Sequence, residues 1–397
     1  MGDLNLAGIA PILQKIILPE IQTYFAKNSI FLDKIKKNVG TTIANNYVYL
    51  AARNGMHSGF YAVAEGTQPK TGRGSYIQPY AALKFIFLTY SFTDQALSLA
   101  SAQGKQAINS TFATEIETGT FTCRKHMNRI FHGAGTGILC KADGAAGGGS
   151  STALTVKLCP SEVASGGFHT KYLAPKQYIN IGTTEAQIAS VDSKTGVTLV
   201  SAVNWSDADV ITLRDAAEPM GLAGHIDDGD NVSTYQGLLR SSYPFLNAQV
   251  DDVAEALTEE KMINVYTAAR EYGDGPSCGL MGKTMWTKYG KILLSMKKTA
   301  DTKEVLNGGW RGLEFMDGCP IILDFDTWEG SVQFPNLKHL TIAQASEMFE
   351  WLKAYENGGV LRRSPDDRTS WEGTQKWYMQ LMGLQVNDMA RLSNKTA

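Results

Sequence analysis

The sequence lacks an excess of charge of either sign. Its 397 residues include 37 lysines and arginines against 39 aspartates and glutamates, which gives a formal net charge of -2. Attraction to nucleic acid or to an anionic membrane depends on a strongly basic surface. The composition therefore argues against a protein whose main task is to grip nucleic acid or an anionic lipid surface.

Long apolar runs are also missing. No segment approaches the roughly 18 consecutive apolar residues of a membrane-spanning helix. The N-terminus has no basic segment followed by an apolar stretch and a small-residue cleavage site. We therefore expect neither a membrane span nor a secretion signal. With 43% hydrophobic and 19% charged residues, the composition is typical of a globular protein with two or three domains.

Cysteine is scarce, and its positions form no framework. The five cysteines are odd in number and far apart, without the spacing of a disulfide scaffold or a zinc knuckle. They are Cys123, Cys140, Cys159, Cys278 and Cys319. We expect reduced, mostly buried thiols in a protein made in a cytoplasm.

Motifs of catalysis and cofactor binding are absent or incomplete. The chain has no HExxH and no GxSxG, and its six histidines show no metal-ligand spacing. Cys278–Thr284 contains a GKT, but Ser277 stands where a phosphate-binding loop needs glycine, and no convincing buried strand precedes the motif. We therefore predict a plain turn before a helix at this point, with no catalytic residue and no cofactor.

Three aspartates around Gly229 are the best candidates for metal binding. Asp227, Asp228 and Asp230 could in principle hold calcium, but they lack the EF-hand spacing and its terminal glutamate. The sequence favours a solvated turn here, and we predict no metal site.

The most informative positive feature is a long loop between two strand-like runs. Tyr47–Arg53 and Leu83–Tyr90 alternate as β-strands do and are rich in aromatic and branched residues. The intervening Asn54–Tyr80 is punctuated by glycine and proline, so it cannot form a core of its own. Connections of that length are usually functional or disordered. An extended two-stranded arm cannot bury its apolar face alone, so we predict that it needs a neighbour.

Helical patterns lie on either side of this loop. Leu4–Lys37 has helical spacing interrupted by Pro11 and Pro19, which predicts short helical pieces. After the loop, the sequence predicts a helix from roughly Gln106 to Phe131, about 40 Å long, that ends at Gly133–Gly137. Its apolar face is expected to consist of Ile108, Phe112, Ile116, Gly119, Cys123, Met127 and Ile130.

The remainder divides into a β-rich part and a mixed part. Residues 152–215 show five short strand patterns, which predict a small barrel or sandwich, and the glycine-rich Asp143–Ser151 precedes them as a flexible connector. The mixed part that follows contains a helix capped by Thr258, a second helix over Thr284–Lys297, and a long final strand over Trp377–Val386.

In this order, the elements resemble those of the major capsid proteins of tailed phages. These proteins have the Hong Kong-type capsid fold, which encapsulins share. Three stretches look like the tip of that family's extended loop, the end of its spine helix, and the strand–Gly-x-Pro–strand part of its axial domain. They are Ala64–Gly66 with Pro69, Gly133–Leu139, and Leu313–Phe315 with Gly318–Ile322.

The resemblance implies an α+β fold with six parts. These are an N-terminal arm, an extended β-hairpin loop, a peripheral domain built on the spine helix, an inserted small all-β domain, an α/β axial domain, and a C-terminal part that completes the axial and peripheral domains. Their expected bounds are, in that order, residues 1–45, 46–90, 91–140, 150–220, 221–345 and 346–397.

The resemblance also implies a function that resides in surfaces and is not enzymatic. We expect a major capsid protein that assembles with copies of itself into hexamers and pentamers of an icosahedral shell around double-stranded DNA. Expected partners are a separate scaffolding protein, a portal, and a decoration or cement protein, with no membrane. The protein would be made in the host bacterial cytoplasm and end in the virion. Two alternatives stay open: an encapsulin-like compartment, and a multidomain enzyme that binds phosphate through Lys283 and Thr284.

We expect the extended loop to carry the contacts between subunits. Its charged residues could set the register between copies, and its aromatic residues could act as anchors. The candidates are Arg53, Phe60, Tyr61, Glu65, Lys70, Arg73, Tyr76, Tyr80 and Lys84.

Overall fold

The computed structural model describes residues 35–38, 43–95, 105–162, 167–214, 217–297, 313–353, 361–363 and 369–396. Most of the N-terminal arm expected over residues 1–45 lies outside these ranges. The fold is mixed α+β, with few helices and many short strands. It consists of a sheet backed by a long helix, a closed barrel, a second sheet flanked by two helices, and an extended arm.

The first sheet is organised around Ser370–Gly383, a strand of 14 residues. Lys84–Thr93 pairs with it antiparallel along all ten of its own residues. The second run of the predicted hairpin therefore pairs with the far end of the chain and not with Tyr47–Arg53. The reason is that Ile86 and Leu88 pack against the core of this sheet. The remaining strands of the sheet are Lys36–Asn38, Leu340–Gln344, Glu350–Trp351 and Leu361–Arg363.

The long helix spans Lys105–His132, which confirms the predicted spine helix. Of its predicted apolar face, Ile116, Cys123, Met127 and Ile130 are buried. The side chains of Ile108 and Phe112 lie outside the described part of the structure. Met127 and Ile130 pack in one core with Trp377 and other residues of the sheet. A Cβ on Gly119 would lie 2.7 Å from the ring of Tyr90, so glycine lets helix and sheet approach closely there.

The β-rich part is a closed barrel of six strands with a hydrophobic core of its own. Five strands lie where the sequence predicts them. The additional strand, Ile138–Ala142, precedes the glycine-rich Asp143–Ser151. It pairs with Ser151–Lys157 on one side and with Val210–Leu213 on the other. That segment is therefore a loop within the barrel and not a connector leading into it. The strands are Ile138–Ala142, Ser151–Lys157, Tyr178–Ile181, Thr184–Val191, Gly196–Val203 and Val210–Leu213.

The second sheet has six strands and packs against the helices Glu259–Arg270 and Lys283–Lys297. The Thr258 side chain accepts a hydrogen bond from the Lys261 amide at 3.4 Å, which confirms the predicted N-cap. In spatial order the strands are Gln249–Asp251, Ala390–Leu392, Val332–Phe334, Gly279–Met281, Pro320–Leu323 and Leu313–Glu314.

A short helix, Leu222–His225, and a two-stranded hairpin, Thr234–Tyr235 with Leu238–Leu239, lie between the barrel and the second sheet along the chain. The extended arm has its own short strands: Ile43–Ala44, Tyr47–Tyr49, Ala52–Arg53, Tyr76–Ile77 and Tyr80–Ala82. Across the part of the chain that is described, no helix combines the length and the apolarity needed to cross a lipid bilayer.

Candidate assembly surface

The base of the arm is fixed to the body of the protein by aromatic residues. Tyr47–Tyr49 pairs antiparallel with Tyr80–Ala82, and the rings of Tyr47 and Tyr80 meet edge to face at 5.6 Å. The Tyr80 amide donates to the Gln236 carbonyl at 3.0 Å. A Cβ on Gly237 would lie 2.3 Å from the Tyr80 ring, and the φ of Gly237 is +76°, so glycine is required there. The base is thereby held in one orientation.

Beyond the base, the arm continues as a narrow two-stranded ribbon. Ala52–Arg53 pairs with Tyr76–Ile77, and the Ser58 amide donates to the Arg73 carbonyl at 3.2 Å. A Cβ on Gly72 would lie 2.2 Å from the Gly59 α-carbon, so the two sides of the ribbon can approach this closely only because both residues are glycine.

A four-residue turn lies at the predicted tip of the arm. The Thr67 amide donates to the Ala64 carbonyl at 3.1 Å, and Gly66 occupies the third position of the turn with a φ of +82°. A positive φ at that position is characteristic of a type II turn and favours glycine.

The arm buries almost none of its own side chains. All residues from Phe60 to Thr71 are exposed. Its most exposed large apolar side chains are those of Met56 at 97%, Phe60 at 90% and Tyr76 at 73%. Soluble monomers rarely present apolar groups in such a concentration unless the surface has a partner.

Charged side chains on the arm are likewise without partners in the described chain. Arg53, Glu65, Lys70 and Arg73 are exposed, and none of the ion pairs among the described residues includes them. The ribbon therefore exposes both apolar and charged groups that a binding partner could contact.

The structure places all nine expected contact residues on the arm or at its base. Arg53 and Tyr76 are register partners, and Tyr80 also packs on the body. Lys84 opens the long strand of the first sheet and is only partly exposed. Met56 was not expected, although a large apolar residue in a glycine-rich stretch without regular structure is a signal that could have identified it.

A second exposed apolar surface lies on the first sheet. Phe85 and Phe87, on the side opposite the spine helix, are 48% and 51% exposed. Their rings meet the Tyr378 ring edge to face at 4.9 and 5.9 Å. The alternation of aromatic residues with Ile86 and Leu88 makes both faces of this strand apolar, which was the available sequence signal. We call Phe85, Phe87 and Tyr378 the aromatic face.

The GKT segment does not form a phosphate-binding loop. The expectation that no buried strand precedes it was wrong, because Gly279–Met281 is a fully buried central strand of the second sheet. Only Gly282 separates this strand from the helix that starts at Lys283. The residues that would have to curl around a phosphate are extended and paired with Pro320–Leu323 and Val332–Phe334.

Asp227 does not lie in a solvated turn, which corrects the expectation for this residue, whereas Asp228 is half-buried and Asp230 is exposed. The Asp227 side chain is fully buried and accepts hydrogen bonds from the amides of Gly229 and Val232 at 3.1 and 2.9 Å. It also pairs with Arg391 at 3.2 Å. Within the described residues, no group of three or more histidine, cysteine or acidic side chains is arranged to hold a metal ion.

The thiols are placed for packing and not for reaction. All five cysteines are free and buried, which confirms the expectation from the sequence. Burial raises the pKa of the Cys123 thiol to about 12 and that of Cys319 to about 12. A thiol that stays protonated at neutral pH is a poor nucleophile.

The buried histidines are also held in structural contacts. Burial, assisted by Arg240, lowers the pKa of His225 to about 3, so this ring is neutral. His132 contacts Asp324 at 3.0 Å. Burial opposes charge on both partners, but their mutual attraction raises the pKa of His132 and lowers that of Asp324 to about 2. This ion pair joins the spine helix to the second sheet.

No model of a known protein family matches the sequence, and neither does any curated protein. The structure is similar to solved ones. The cyanophage A-1(L) capsid asymmetric unit gives a TM-score of 0.55 at 11% identity, over 94% of this chain and 93% of that one. The capsid of a native GTA particle gives 0.49 at 9% identity, over 93% and 91%.

A further similar structure is the holo-SrpI encapsulin complex from Synechococcus elongatus PCC 7942. It gives a TM-score of 0.44 at 7% identity, over 93% of this chain and 88% of that one. Among these three structures, the cyanophage capsid has the score that supports a shared fold across nearly the full length of both chains. The chain therefore has the Hong Kong-type capsid fold.

Proposed function

We propose that this chain is the major capsid protein of a tailed bacteriophage. Copies of it assemble into hexamers and pentamers, and these form an icosahedral shell that encloses double-stranded DNA. The sheet on the spine helix serves as the peripheral domain, and the sheet with two flanking helices serves as the axial domain. The protein has a structural role in the virion and catalyses no reaction.

One observation carries this proposal: the arm exposes large apolar side chains that no described residue of its own chain covers. Burying a side chain such as Met56, Phe60 or Tyr76 is worth roughly 1.5–3 kcal/mol. Each contact between two proteins must also offset the loss of translational and rotational freedom. A shell can meet this requirement by repeating one modest contact around every subunit.

A second copy is the occupant that fits best. The arm of one subunit presents apolar and charged groups, and the aromatic face of another subunit presents Phe85, Phe87 and Tyr378 beside Lys376 and Glu350. Lys376 and Glu350 lie 3.8 Å apart at the same face. The arm therefore meets both ring surfaces and charges of either sign on a neighbouring subunit.

The charge balance supports a container for DNA. A net charge of -2 gives the chain little affinity for phosphates. Tight binding would resist both the entry and the release of a genome. A separate scaffolding protein, a portal and a decoration protein are the partners expected for such a shell.

The test is to shorten the arm without disturbing its base. Asn54 and Ser75 face each other, with the Asn54 amide donating to the Ser75 carbonyl at 2.8 Å. Replacing Gly55–Gly74 by Asn-Gly therefore closes the ribbon with a tight hairpin turn. The variant should remain folded and soluble but form no closed shells by negative-stain electron microscopy.

A matched control is to shorten a loop of similar composition elsewhere. Gly147–Gly149, in a barrel loop, have no heavy atom within 4 Å of the position of an added Cβ, and deletion of these three residues should leave shells intact. Normal shells from the arm-shortened variant would refute the role of the arm. Shells that enclose protein cargo and no DNA would instead favour an encapsulin-like compartment.

A further inference from the structure

The barrel is joined to the rest of the chain by two segments that lie side by side. Residues 133–137 lead into it from the spine helix, and residues 217–221 lead out of it. A Cβ on Gly135 would lie 3.1 Å from an α-carbon of the second segment. A Cβ on Gly221 would lie 2.2 Å from the Ile130 carbonyl oxygen. Glycine thus lets both crossings lie close to each other and to the end of the spine helix.

The barrel packs its interior without help from the other parts. Its hydrophobic core is formed by its own residues, from Leu139 to Ile211. The described hydrophobic cores of the two sheets contain none of these residues. The orientation of the barrel is therefore set at its boundary, where the core residue Tyr172 turns its ring towards His126 and Arg129 of the spine helix.

Asp326 lies at the centre of those contacts. It follows the strand Pro320–Leu323 of the second sheet. Its Oδ1 accepts from the Tyr172 hydroxyl at 2.7 Å and pairs with Lys171 Nζ at 2.8 Å, and both of these residues belong to the barrel. Its Oδ2 accepts from Asn128 Nδ2 of the spine helix at 2.8 Å. We call these four side chains the Asp326 knot, because one carboxylate joins three parts of the fold.

Further polar contacts surround the knot. Lys171 Nζ also donates to the Phe325 carbonyl at 2.7 Å, and Lys125 Nζ donates to the Lys171 carbonyl at 2.5 Å. Arg129 pairs with Glu218 on the second crossing. These groups are largely buried, so solvent and salt screen their interactions only weakly.

We propose that the barrel is a rigid body that turns about the two crossings, and that the Asp326 knot locks it in one orientation. Because the lock is polar, it can open and close again while every hydrophobic core stays packed. The lock is independent of the shell function proposed above.

Amide hydrogen exchange on the full-length protein tests this lock. The Glu329 amide donates to the Pro160 carbonyl of the barrel, so its exchange reports directly on separation of barrel and body. Asp326→Asn keeps the size of the side chain but removes the charge that Lys171 neutralises. Peptides covering residues 324–329 and 133–137 should exchange at least tenfold faster in this variant, while the barrel strands keep their wild-type rates.

The matched control is Asp192→Asn. Asp192 accepts from the hydroxyls of Ser190 and Thr198 at 2.6 Å in a barrel turn, and its replacement should change neither peptide. If Asp326→Asn yields no folded protein, Tyr172→Phe removes one hydroxyl, which donates to Asp326 and also contacts the Ser161 hydroxyl at 2.9 Å, and should accelerate the same peptides at least threefold. Unchanged exchange at residues 324–329 would refute the lock. Equal acceleration in the barrel strands would show unfolding of the barrel and refute the rigid body.

Discussion

Replacing Met56 and Phe60 together by serine removes the two most exposed apolar side chains among the described residues. Neither side chain is covered by the described part of its own chain, so the free energy of unfolding of the isolated subunit should change by less than about 0.5 kcal/mol. In an assembled shell, each burial is worth roughly 1.5–3 kcal/mol, or about 3–6 kcal/mol for both. That difference corresponds to roughly 10²- to 10⁴-fold in the association constant of each arm contact.

The assay is the concentration of subunit at which light scattering first reports particles, measured beside urea unfolding of the unassembled protein. The control is Val200→Ser, because Val200 is 57% exposed on the barrel, away from the arm. The double variant should need a much higher subunit concentration for assembly at unchanged stability. The control should assemble at the same concentration as the wild-type protein. An unchanged threshold for the double variant would refute the assembly role of these side chains. A large loss of subunit stability would show that the arm packs on its own body.

Two further predictions concern the fold that supports the arm. The pKa of His225 is about 3 in the folded state and ordinarily near 6.5, so unfolding takes up a proton between these values. The contribution of His225 to stability is thus present above pH 6.5 and is lost as the pH falls, by about 1.4 kcal/mol per pH unit. In urea unfolding, the stability of His225→Gln should therefore depend less on pH between these values. The same dependence of stability on pH in the variant and the wild type would contradict this. Gly221→Ala places a methyl group against the Ile130 carbonyl and should destabilise the protein by about 1–3 kcal/mol in thermal unfolding. The control is Gly147→Ala, which has open space around the added methyl group and should change stability by less than about 0.5 kcal/mol. Similar melting temperatures for the two glycine variants would show that the crossing is not tightly packed.

The sequence was most informative where a single period persists over many residues. The spine helix keeps one apolar face from Ile116 to Ile130, and its bounds were predicted to within one residue of Lys105–His132. Most barrel strands were also identifiable, because they alternate in the regular way and are separated by turn residues. Both features depend on local spacing alone.

Pairing between distant strands could not be predicted in the same way. The run Lys84–Thr93 could pair with either the first arm strand or the last long strand, and only the core beneath Ile86 and Leu88 decides between them. Gly279–Met281 was missed because three residues are too few to show a period. The burial of Asp227 depends on Arg391, which lies at the other end of the sequence.

The candidate surface was predictable as a region but not in all its members. Glycine and proline placed the extended loop correctly, and the aromatic residues within it were evident. The aromatic face was not identified, since Phe85 and Phe87 read equally well as core residues of a strand that is buried on both sides. Only the position of the spine helix shows which face of that strand is left open.

The most direct test of the central claim is amide hydrogen exchange of residues 55–74 in unassembled subunits and in purified particles. If the arm is buried only by a neighbouring copy, its amides should exchange freely in the subunit and at least tenfold more slowly in the particle. Amides that are already protected in the isolated subunit, or still unprotected in the particle, would contradict the account.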